Sequence, residues 1–436
     1  MKTVCKFGGT SLAGSENVAR CRDIVMADTA RRIVVVSAPG KKKDGDIKVT
    51  DLLHECYLKR FDLPAFSAVF AKIEETFREI ASPLKNFPVG EELCIVRAQI
   101  CQPEANEDFV LSRGEYLNAK LVAAYLGYAF LDAAAFIRFK GGELDLSATL
   151  SLAAHIETEK GVVIPGFYGL DEEGHVKTFS RGGSDITGAI AARAFGCDLY
   201  ENWTDVDGIR ICDPKIVPNS KKVSEASYRE LREMSYMGAS VLHAETLLPL
   251  VGAPVPIVIR NSFRPDLAGT MIRKKRTDAA EKENIACITG KSDYTCIQIS
   301  KMLLDKQLGF VKKVTSVFEE YNINISHTHS GLDNLCFFVE RAEYVKISFE
   351  NFVKELKRRI DADKIRAHGD IALVAVIGHG LSGRIGVLAD IFTALKDAGI
   401  SVKTIYQSIS ECNVIVGIEN VRLADAVRAL YAALIR

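Results

Sequence analysis

Several kinds of segment are missing from this sequence of 436 residues. No apolar run reaches the roughly 18 residues that a membrane-spanning helix needs, and the N-terminus leads into a predicted strand without the pattern of a signal peptide. Basic and acidic residues both number 56, so the chain lacks the net charge typical of a nucleic-acid-binding surface. We therefore expect a cytoplasmic protein with no nucleic-acid and no membrane partner.

The cysteines and histidines also lack the spacing of disulfide or metal sites. Eleven cysteines are scattered, odd in number and never form a Cys-x-x-Cys pair, which predicts reduced thiols that mostly lie in the core. His327 and His329 lie two residues apart, which is more typical of neighbours on a strand than of metal ligands. The length, with 48% hydrophobic and 26% charged residues, favours a globular protein of about two to four domains.

Close to its start the sequence has a glycine turn, Lys6-Phe7-Gly8-Gly9-Thr10-Ser11. A short apolar run precedes this turn and a helical pattern follows it, so the order is strand, turn, helix. Adjacent glycines let the backbone bend closely around a ligand, and N–H groups at a helix start bind anions. Lys6 adds a mobile positive charge. The Walker A order is absent, and this stretch alone fits a phosphate loop and a plain strand–helix turn equally well.

The continuous Ile/Val run at residues 33–36 predicts a strand that is buried on both faces, as in a parallel sheet covered by helices. Ser37 follows the carboxyl end of this strand, where open α/β sheets bind ligands. Further strands are predicted at residues 128–131 and 162–167, and they alternate with helical patterns. This alternation predicts one large α/β domain.

Two polar residues fall near predicted helix starts. Thr50 is placed to cap the helix that follows it, and capping alone explains a threonine there. Glu115 precedes a helical pattern that includes Leu117, so we expect it near a helix N-terminus, where a glutamate usually complements the helix dipole.

A second glycine turn, Arg181-Gly182-Gly183-Ser184-Asp185, leads into an alanine-rich helical pattern. An arginine side chain can hold a carboxylate or a phosphate through two parallel hydrogen bonds. An acidic turn follows soon afterwards, at Thr204-Asp205-Val206-Asp207-Gly208. Two glycine turns that favour anions, together with this acidic turn, predict a phosphate-handling site.

The last third of the chain contains an internal repeat. Gly309-Phe310-Val311 and Asn322-Ile323-Asn324-Ile325 recur as Gly386-Val387-Leu388 and Gly399-Ile400-Ser401-Val402 at a constant offset (386 − 309 = 77). Each copy reads strand, glycine loop, helix, strand, which predicts two small α/β modules. Gly378-His379-Gly380-Leu381-Ser382-Gly383 fits a dinucleotide-binding pattern, but the 58 residues that follow Gly378 (436 − 378 = 58) are too few for that fold.

Together these motifs resemble those of the aspartokinases, in the amino-acid-kinase family. The matching stretches are Lys6-Phe7-Gly8-Gly9-Thr10-Ser11, Val35-Val36-Ser37-Ala38, Val49-Thr50-Asp51-Leu52-Leu53, Leu111-Ser112-Arg113-Gly114-Glu115, Arg181-Gly182-Gly183-Ser184-Asp185, Thr204-Asp205-Val206-Asp207-Gly208-Ile209 and Met237-Gly238-Ala239-Ser240-Val241-Leu242-His243. The repeat at the C-terminal end resembles tandem ACT domains, which are amino-acid-sensing modules. The resemblance covers essentially the whole chain.

This resemblance implies an α/β fold with a mainly parallel open sheet and helices on both faces, plus two ferredoxin-like βαββαβ ACT modules. The implied domains are a catalytic kinase domain at residues 1–275, a charged connector at 276–290 and the tandem ACT domains at 291–436. The two ACT modules are expected at about residues 291–365 and 366–436.

The implied reaction is the ATP-dependent phosphorylation of the side-chain carboxylate of L-aspartate to 4-phospho-L-aspartate, the first step of lysine, threonine and methionine biosynthesis. ATP and Mg²⁺ are the implied cofactors. The implied effector is an inhibitory amino acid, with lysine favoured and threonine as a second candidate, and the implied assembly is a homodimer or a dimer of dimers through the ACT domains. The length excludes an attached homoserine dehydrogenase domain, so we expect a monofunctional enzyme. A kinase of another small amino-acid carboxylate and a non-catalytic amino-acid sensor stay open as alternatives.

The resemblance also implies a role for each candidate residue. The catalytic residues it implies are Lys6, Glu115, Arg181 and Asp185. The substrate-binding residues are Ser37, Thr50, Glu115, Phe167, Arg181 and Ser184, with Glu115 paired to the substrate ammonium. The ATP-binding residues are Lys6, Gly8, Gly9, Ser11, Thr204, Asp205, Gly208, Arg210 and Lys215. The effector-binding residues are Met302, Gln307, Ser326, Ser330, Gly331 and Asp333.

Some details stay open at this point. No metal ligands are assigned, and Asp185 either orients Lys6 or helps to hold Mg²⁺. Arg210, Lys215 and Ser240 stand where many family members have an aromatic residue, an arginine and a lysine. All three departures fall on the implied nucleotide side.

Overall fold

The structure is a computed structural model of the chain, and it describes residues 1–43, 45–180, 182–239, 242–277, 285–381, 384–407 and 412–435. The chain forms two compact units. The first unit comprises Met1–Ile209, Lys222–Leu231 and Ser240–Ala280, and the second comprises Arg210–Lys221, Arg232–Ala239 and Glu281–Arg436. None of the helices that the structure describes is long and apolar enough to cross a membrane.

The first unit alternates strands and helices along the chain. Its strands are β1 (Thr3–Phe7), β2 (Arg31–Val36), β3 (Ala129–Phe130), β4 (Phe139–Lys140), β5 (Glu143–Leu144), β6 (Val162–Pro165), β7 (Tyr168–Leu170), β8 (Val176–Thr178), β9 (Leu199–Thr204), β10 (Glu225–Ser227), β11 (Ile257–Asn261) and β12 (Thr270–Arg273). Its helices are α1 (Ser15–Met26), α2 (Val49–Lys59), α3 (Leu63–Ala81), α4 (Val89–Ile100), α5 (Glu107–Leu126), α6 (Leu146–Ala153), α7 (Gly183–Ala194) and the start of α8 (Tyr228–Tyr236), whose later residues belong to the second unit. Short 3₁₀ turns lie at Thr10–Leu12, Ala133–Ala135 and Ala244–Leu250.

An eight-stranded sheet organises the first unit. Its strand order is β10-β12-β11-β9-β1-β2-β6-β3; β11 and β12 pair antiparallel and the other neighbours run parallel. The side chains of residues 33–36 in β2 are fully buried, as the Ile/Val run predicts. The prediction of a mainly parallel α/β sheet is therefore confirmed.

Helix α3 illustrates how sequence sets the packing around this sheet. Asp62 accepts a hydrogen bond from the Ala65 backbone N–H (3.2 Å) and caps the helix, whose first turn also contains a proline. Apolar residues recur every three or four positions and are buried, at Phe66, Val69, Phe70, Ile73, Phe77 and Ile80. This spacing places them on one face of the helix, which packs into the core of the unit.

A buried charged cluster lies within the central strands, and it consists of Arg31, Glu201 and Arg260 together with Cys5 and Trp203. The Glu201 carboxylate accepts hydrogen bonds from Arg31 Nε (2.7 Å) and Nη2 (3.0 Å), Arg260 Nη1 (3.3 Å), Trp203 Nε1 (3.1 Å) and Cys5 Sγ (3.3 Å). Both guanidinium groups also lie over the Trp203 ring. Burial and the neighbouring Glu201 carboxylate raise the pKa of the Cys5 thiol. These contacts tie β1, β2, β9 and β11 together.

The second unit is built on one antiparallel sheet. Its strands are β13 (Cys287–Ser300), β14 (His327–Ser330), β15 (Asn334–Glu340), β16 (Lys364–Ile377), β17 (Thr404–Tyr406) and β18 (Asn413–Glu419), in the order β14-β15-β13-β16-β18-β17. Its helices include α9 (Phe310–Glu320), α10 (Arg341–Tyr344), α11 (Phe349–Ile360), α12 (Val387–Asp397) and α13 (Leu423–Leu434), with 3₁₀ turns at Leu304–Lys306, His379–Leu381 and Asn420–Arg422. His327 and His329 both lie on β14, as predicted for a strand pair.

The internal repeat appears in the backbone angles of this unit. Gly309 (φ 75°) and Gly386 (φ 88°) each precede a helix in the left-handed conformation, and Asn322 (φ 52°) and Gly399 (φ 66°) each follow the paired helices in the same conformation. These pairs share the offset of the sequence repeat. The two modules therefore repeat their turns as well as their helices, although residues 382–383 and 408–411 of the second glycine loop and strand lie outside the described residues.

Two local predictions are wrong, and two predicted strands are shorter than expected. Glu115 lies in the middle of α5 rather than near a helix start, because Asn106 caps the helix nine residues earlier through a hydrogen bond from Phe109 N (2.7 Å). Thr50 is not the cap of α2, since Lys48 occupies that position and Thr50 is already helical. The strands predicted at residues 128–131 and 162–167 are present but shorter, at Ala129–Phe130 and Val162–Pro165.

Candidate functional site

The site is positioned by the carboxyl ends of four neighbouring parallel strands, in the sheet order β9-β1-β2-β6. Gly8 follows β1, Ser37 follows β2, Phe167 lies just beyond β6, and Thr204 ends β9. Because the strands run parallel, their carboxyl ends meet at one edge of the sheet, where open α/β sheets bind ligands. The structure therefore brings together candidate residues that lie up to about 200 positions apart in the chain.

The first glycine turn packs tightly against the segment that follows β2. The Gly40 N–H donates to the Gly9 carbonyl oxygen (2.8 Å), and a Cβ atom on Gly9 would lie only 2.9 Å from the carbonyl oxygen of Ala38. Gly8 N–H donates to the Trp203 carbonyl oxygen (3.0 Å), which joins the turn to β9. Gly9 is thus required by close backbone approach, whatever binds at the turn.

Lys6 and Asp185 form an ion pair at the centre of this edge. Lys6 Nζ lies 2.5 Å from Asp185 Oδ1, and the Lys6 side chain is only 9% exposed. Asn202 Nδ2 donates to the same carboxylate oxygen (2.8 Å), and the Tyr200 hydroxyl donates to the Asp185 carbonyl oxygen (3.2 Å). The pairing of β1 with β9 sets Lys6 directly beside Asn202. The Asp185 carboxylate therefore holds the Lys6 ammonium group at this edge of the sheet.

Asn202 was not among the sequence candidates. It is a buried polar residue beside the buried Glu201 in β9, which is a weak signal because buried amides usually satisfy local hydrogen bonds. Its importance becomes visible only through the register between Lys6 and Asn202, which joins strands separated by 196 positions.

The second glycine turn interlocks with the end of β6. A Cβ atom on Gly166 would lie 2.6 Å from the Ser184 side chain, and one on Gly183 would lie 2.7 Å from the Phe167 ring. Phe167 itself has a left-handed backbone (φ 84°), which is rare for an aromatic residue and is held by a hydrogen bond from its N–H to Thr187 Oγ1 (3.1 Å). The start of α7, where Ser184 is buried, is therefore fixed against this strained turn; Arg181 lies outside the described residues.

Glu115 is a buried carboxyl group with an unused oxygen. Its side chain is 4% exposed and is hydrogen-bonded to the backbone of Ala38, the residue that follows Ser37. Burial raises the pKa of Glu115 to about 7, despite opposing hydrogen bonds. The second oxygen, Oε2, has no hydrogen-bond partner among the described residues. A buried acceptor without a partner is costly, and a cationic ligand group would relieve that cost.

Three further candidate hydroxyls have different surroundings. Ser37 is half-buried, and its carbonyl oxygen accepts from Asn118 Nδ2 (2.7 Å). Thr50 is half-buried in the first turn of α2. Ser11 is 1% exposed, and its hydroxyl bonds the hydroxyl of Ser262 (2.7 Å).

The candidates for the nucleotide side divide between the two units. In the first unit, the Thr204 hydroxyl donates to Asp205 (3.2 Å), and Gly208 has φ 116°, with Thr270 Oγ1 2.5 Å from where a Cβ would stand. Arg210 and Lys215 belong to the second unit. Arg210 Nη1 donates to the Ser220 carbonyl oxygen (2.6 Å), and Lys215 is exposed. Ser240 lies outside the described residues.

The effector candidates lie around β14 and the loop that follows β13. Asp333 Oδ1 accepts from the Leu303 N–H (2.8 Å), which brings the turn after β14 against the loop that carries Met302. Met302 and Gln307 are exposed, as are Ser330 and Gly331 at the end of β14. Ser326 precedes the other end of the strand, and its carbonyl oxygen accepts from the Tyr236 hydroxyl (2.6 Å). The structure thus joins the segment that carries Met302 to Asp333, through Leu303, but places Ser326 at the opposite strand end.

Within the described ranges, no group of three or more His, Cys, Asp or Glu side chains has the arrangement of a metal centre. Mg²⁺ in phosphoryl-transfer sites is usually held by one or two carboxylates together with the nucleotide phosphates. Asp205 directly follows β9, and Asp185 lies in the first turn of α7, where its Oδ1 atom already contacts Lys6 and Asn202.

Comparison with known proteins identifies the family. The model of the amino acid kinase family matches residues 1–261, and an ACT domain model matches residues 374–434. Aspartokinase 3 of Bacillus subtilis is 33% identical over 450 residues, which covers 98% of this chain and 97% of that protein.

Among solved structures, the aspartate kinase of Clostridium acetobutylicum superposes with a TM-score of 0.90 at 39% identity, over 99% of this chain and 100% of the other. Aspartokinase III of Escherichia coli in complex with aspartate and ADP superposes with a TM-score of 0.81 at 25% identity, and its complex with lysine and aspartate with 0.76 at 25% identity, each over the full length of both chains. The chain therefore belongs to the amino acid kinase family, as an aspartokinase that carries an ACT domain.

Proposed function

We propose that this chain transfers the γ-phosphoryl group of ATP to the side-chain carboxylate of L-aspartate, giving 4-phospho-L-aspartate and ADP. The observation that carries the choice of an amino acid as acceptor is Glu115, a buried carboxyl group with one unused oxygen beside the Ser37–Ala38 segment. An ammonium group is the natural partner for such an oxygen. The phosphate-binding turns alone would not distinguish an amino acid from any other phosphoryl acceptor.

In the proposed reaction the acceptor carboxylate needs no general base, because its reference pKa of about 3.9 leaves it ionised near neutral pH. Its oxygen attacks the γ-phosphorus, and the bond from that phosphorus to the bridging oxygen breaks as ADP leaves. The protein's contribution is positioning and charge stabilisation. Lys6, held by Asp185, which itself accepts a hydrogen bond from Asn202, supplies a fixed positive charge for the transferring group.

The remaining proposed substrate contacts come from residues at the carboxyl ends of the strands and at the start of α7. We assign Arg181 to a carboxylate of aspartate and Ser37, Thr50, Phe167 and Ser184 to the same substrate. The N–H groups at the start of α7 favour negative charge there.

On the nucleotide side we assign Gly8, Gly9 and Ser11 to the phosphates. Thr204, Asp205, Gly208, Arg210 and Lys215 complete the proposed ATP contacts. A bound Mg²⁺ would neutralise phosphate charge, with Asp185 and Asp205 as its candidate protein ligands.

We further propose that the kinase domain comprises residues 1–275, and that the ACT modules at 291–365 and 366–436 bind an inhibitory amino acid, lysine. Met302, Gln307, Ser326, Ser330, Gly331 and Asp333 are the proposed contacts. The hydrogen bond from Leu303 N–H to Asp333 brings the segment that carries Met302 close to Asp333, which supports a shared role for them, and the complex of Escherichia coli aspartokinase III with lysine supports the choice of ligand. We propose a homodimer or dimer of dimers through the ACT modules, and a cytoplasmic location, which the eleven free cysteines support.

The decisive experiment measures ADP formation with aspartate, glutamate and N-acetylglutamate as acceptors. Turnover with aspartate alone is expected, because its shorter side chain fits an ammonium partner and a phosphoryl donor fixed on one strand edge. Preference for another acceptor would contradict the proposed substrate, and no turnover with any acceptor would favour an amino-acid sensor. Repeating the assay with lysine and with threonine tests the effector, and inhibition by neither would contradict the regulatory proposal.

A further inference from the structure

A cavity of about 930 Å³ opens on one face of the second unit's sheet. Its lining includes two cysteines, Cys296 and Cys336, and two histidines, His329 and His368. None of these residues has a role in the proposed kinase reaction, and none is among the effector candidates.

The strand register places the four side chains on this one face. On β15, Cys336 pairs with His329 of β14 on one side and with Gln298 of β13 on the other. On β13, Cys296 pairs with His368 of β16. Paired residues in a sheet present their side chains to the same face, and positions two apart on a strand do so as well. The two thiols are therefore diagonal neighbours beside a histidine each.

The thiols contact each other through a hydrogen bond. Cys296 donates, which holds the pKa of Cys336 below its usual range and, with burial, raises the pKa of Cys296. The buried cysteines of the first unit differ, since burial raises the pKa of Cys21, Cys56 and Cys197. A thiolate is the nucleophilic form of cysteine, so the hydrogen bond from Cys296 and the position of Cys336 on the cavity wall both favour attack by Cys336.

We propose that Cys336 and Cys296 form a redox-modifiable pair, in which hydrogen peroxide that enters the cavity oxidises the two thiols to a disulfide. The Cys336 thiolate attacks the peroxide oxygen; the O–O bond breaks, hydroxide leaves, and Cys336 becomes a sulfenic acid. The Cys296 sulfur then attacks the Cys336 sulfur, the S–O bond breaks, and water leaves with the proton from Cys296. Two thiols are oxidised, and one peroxide is reduced.

The positions of the two thiols relative to the cavity favour this sequence of steps. Cys336 is half-buried and open to the cavity, whereas Cys296 is 6% exposed and reaches the cavity beside it. The first oxidation therefore falls on Cys336, and Cys296 resolves the product. The disulfide would join β13 to β15, the strand whose other edge pairs with β14.

The test treats the purified full-length chain with hydrogen peroxide and maps each cysteine by mass spectrometry. The expected product has lost about 2 Da, in a dithiothreitol-reversible link between the peptides of Cys296 and Cys336. Cys94 on α4 is an exposed thiol and serves as the internal reference. Oxidation of Cys94 while Cys296 and Cys336 stay reduced would overturn the proposal.

Variants separate the two roles. Cys296→Ser should stop the disulfide and leave a sulfenic acid at Cys336, which dimedone labels. Cys336→Ser should leave Cys296 reduced, and the matched control Cys94→Ser should react as the unaltered chain does. Equal oxidation of Cys296 in the presence and absence of Cys336 would overturn the assigned order. Because the unaltered chain alone reports the disulfide, the test does not depend on how well any variant folds, and aspartate kinase activity does not enter it.

Discussion

The change Glu115→Gln should make the chain more stable at alkaline pH while it weakens aspartate binding. The pKa of Glu115 in the folded chain is about 7, against 4.5 for an unperturbed glutamate. At roughly 1.4 kcal/mol for each pKa step of one, holding this carboxylate ionised costs the fold about 3 kcal/mol. Glutamine keeps the shape and an acceptor for the Ala38 backbone, but it carries no charge.

The sign of the pH dependence follows from where each state loses its proton. Below pH 4.5 the carboxyl is protonated in the folded and unfolded chain alike, so the charge costs nothing. Between pH 4.5 and 7 only the unfolded chain ionises, and stability falls as pH rises. Above pH 7 both states are ionised and the cost is complete. The glutamine variant lacks this loss, so its advantage should grow through that window.

Urea unfolding of both proteins at pH 5 and pH 8 measures this effect. The stability difference between variant and unaltered chain should shift towards the variant by about 2–3 kcal/mol from the lower pH to the higher. The amide N–H₂ group of the glutamine would occupy the position of Oε2 and would have no hydrogen-bond partner there. This lowers the free energy of unfolding by about 1–3 kcal/mol, but equally at both pH values. A difference that stays constant from pH 5 to pH 8 would refute the reasoning.

The same residue predicts a kinetic signature. In the unaltered enzyme, kcat/KM for aspartate should fall below pH 7, approaching tenfold for each pH step of one, because kcat/KM reports ionisation of the free enzyme. In Glu115→Gln, kcat/KM for aspartate should be low and should lose this pH dependence. A variant with the original profile would show that Glu115 does not meet the substrate ammonium.

Three further substitutions test the site and the fold. Lys6→Ala should abolish turnover, because the charge facing the phosphoryl group is lost, yet leave aspartate binding nearly intact by calorimetry; near-normal kcat would remove Lys6 from this role. Asn202→Leu removes the hydrogen bond that orients Asp185 and should lower kcat about tenfold with little change in the KM for aspartate, whereas a rise in KM alone would indicate substrate contact. Gly386→Ala should destabilise the second unit by about 1–2 kcal/mol, because a φ of 88° strains any residue with a side chain even where the space is open. Gly369→Ala, which lies in open space at an ordinary φ, is the control. Equal unfolding midpoints for the two variants would contradict the strain.

Some of this architecture could be read from the sequence because its signals are local. The Ile/Val run of β2 is enough to predict a strand buried on both faces, since no polar position interrupts it. The repeat at an offset of 77 predicts the paired turns at Gly309 and Gly386, because a left-handed conformation strongly selects glycine. The glycine turn after β1 can likewise be predicted from its own residues alone.

The environment of Glu115 could not be read in this way. The Ser112-Arg113-Gly114 stretch has the composition of a helix start, but it is buried in the middle of α5, and a Cβ on Gly114 would lie 2.9 Å from the Ala38 methyl group. Gly114 allows close packing against a distant segment, whereas the hydrogen bonds of Ser112 and Arg113 stay within the helix. Asn106, an ordinary helix cap, was the local signal that marked the true start.

The Lys6–Asp185 pair is a second feature that could not be predicted from the sequence. The sequence leaves Asp185 with two roles, and only the sheet order brings β1, β9 and the start of α7 together. Asn202 then completes the arrangement from β9, a strand of which the sequence analysis singled out only the acidic turn at its end. Contacts of this kind depend on register between strands far apart in the chain, which composition and spacing do not encode.

The charged cluster in the central sheet restricts which substitutions the chain can tolerate one at a time. Replacing Glu201 alone leaves two guanidinium groups facing each other, and replacing Arg31 alone leaves a buried carboxylate short of its main partner; breaking such a pair costs about 3–5 kcal/mol. Well-packed apolar replacement of all members together is often neutral or stabilising. A library that varies one position at a time would therefore find these sites immutable, whereas one that varies Arg31, Glu201 and Arg260 together would find them exchangeable, which is strong epistasis.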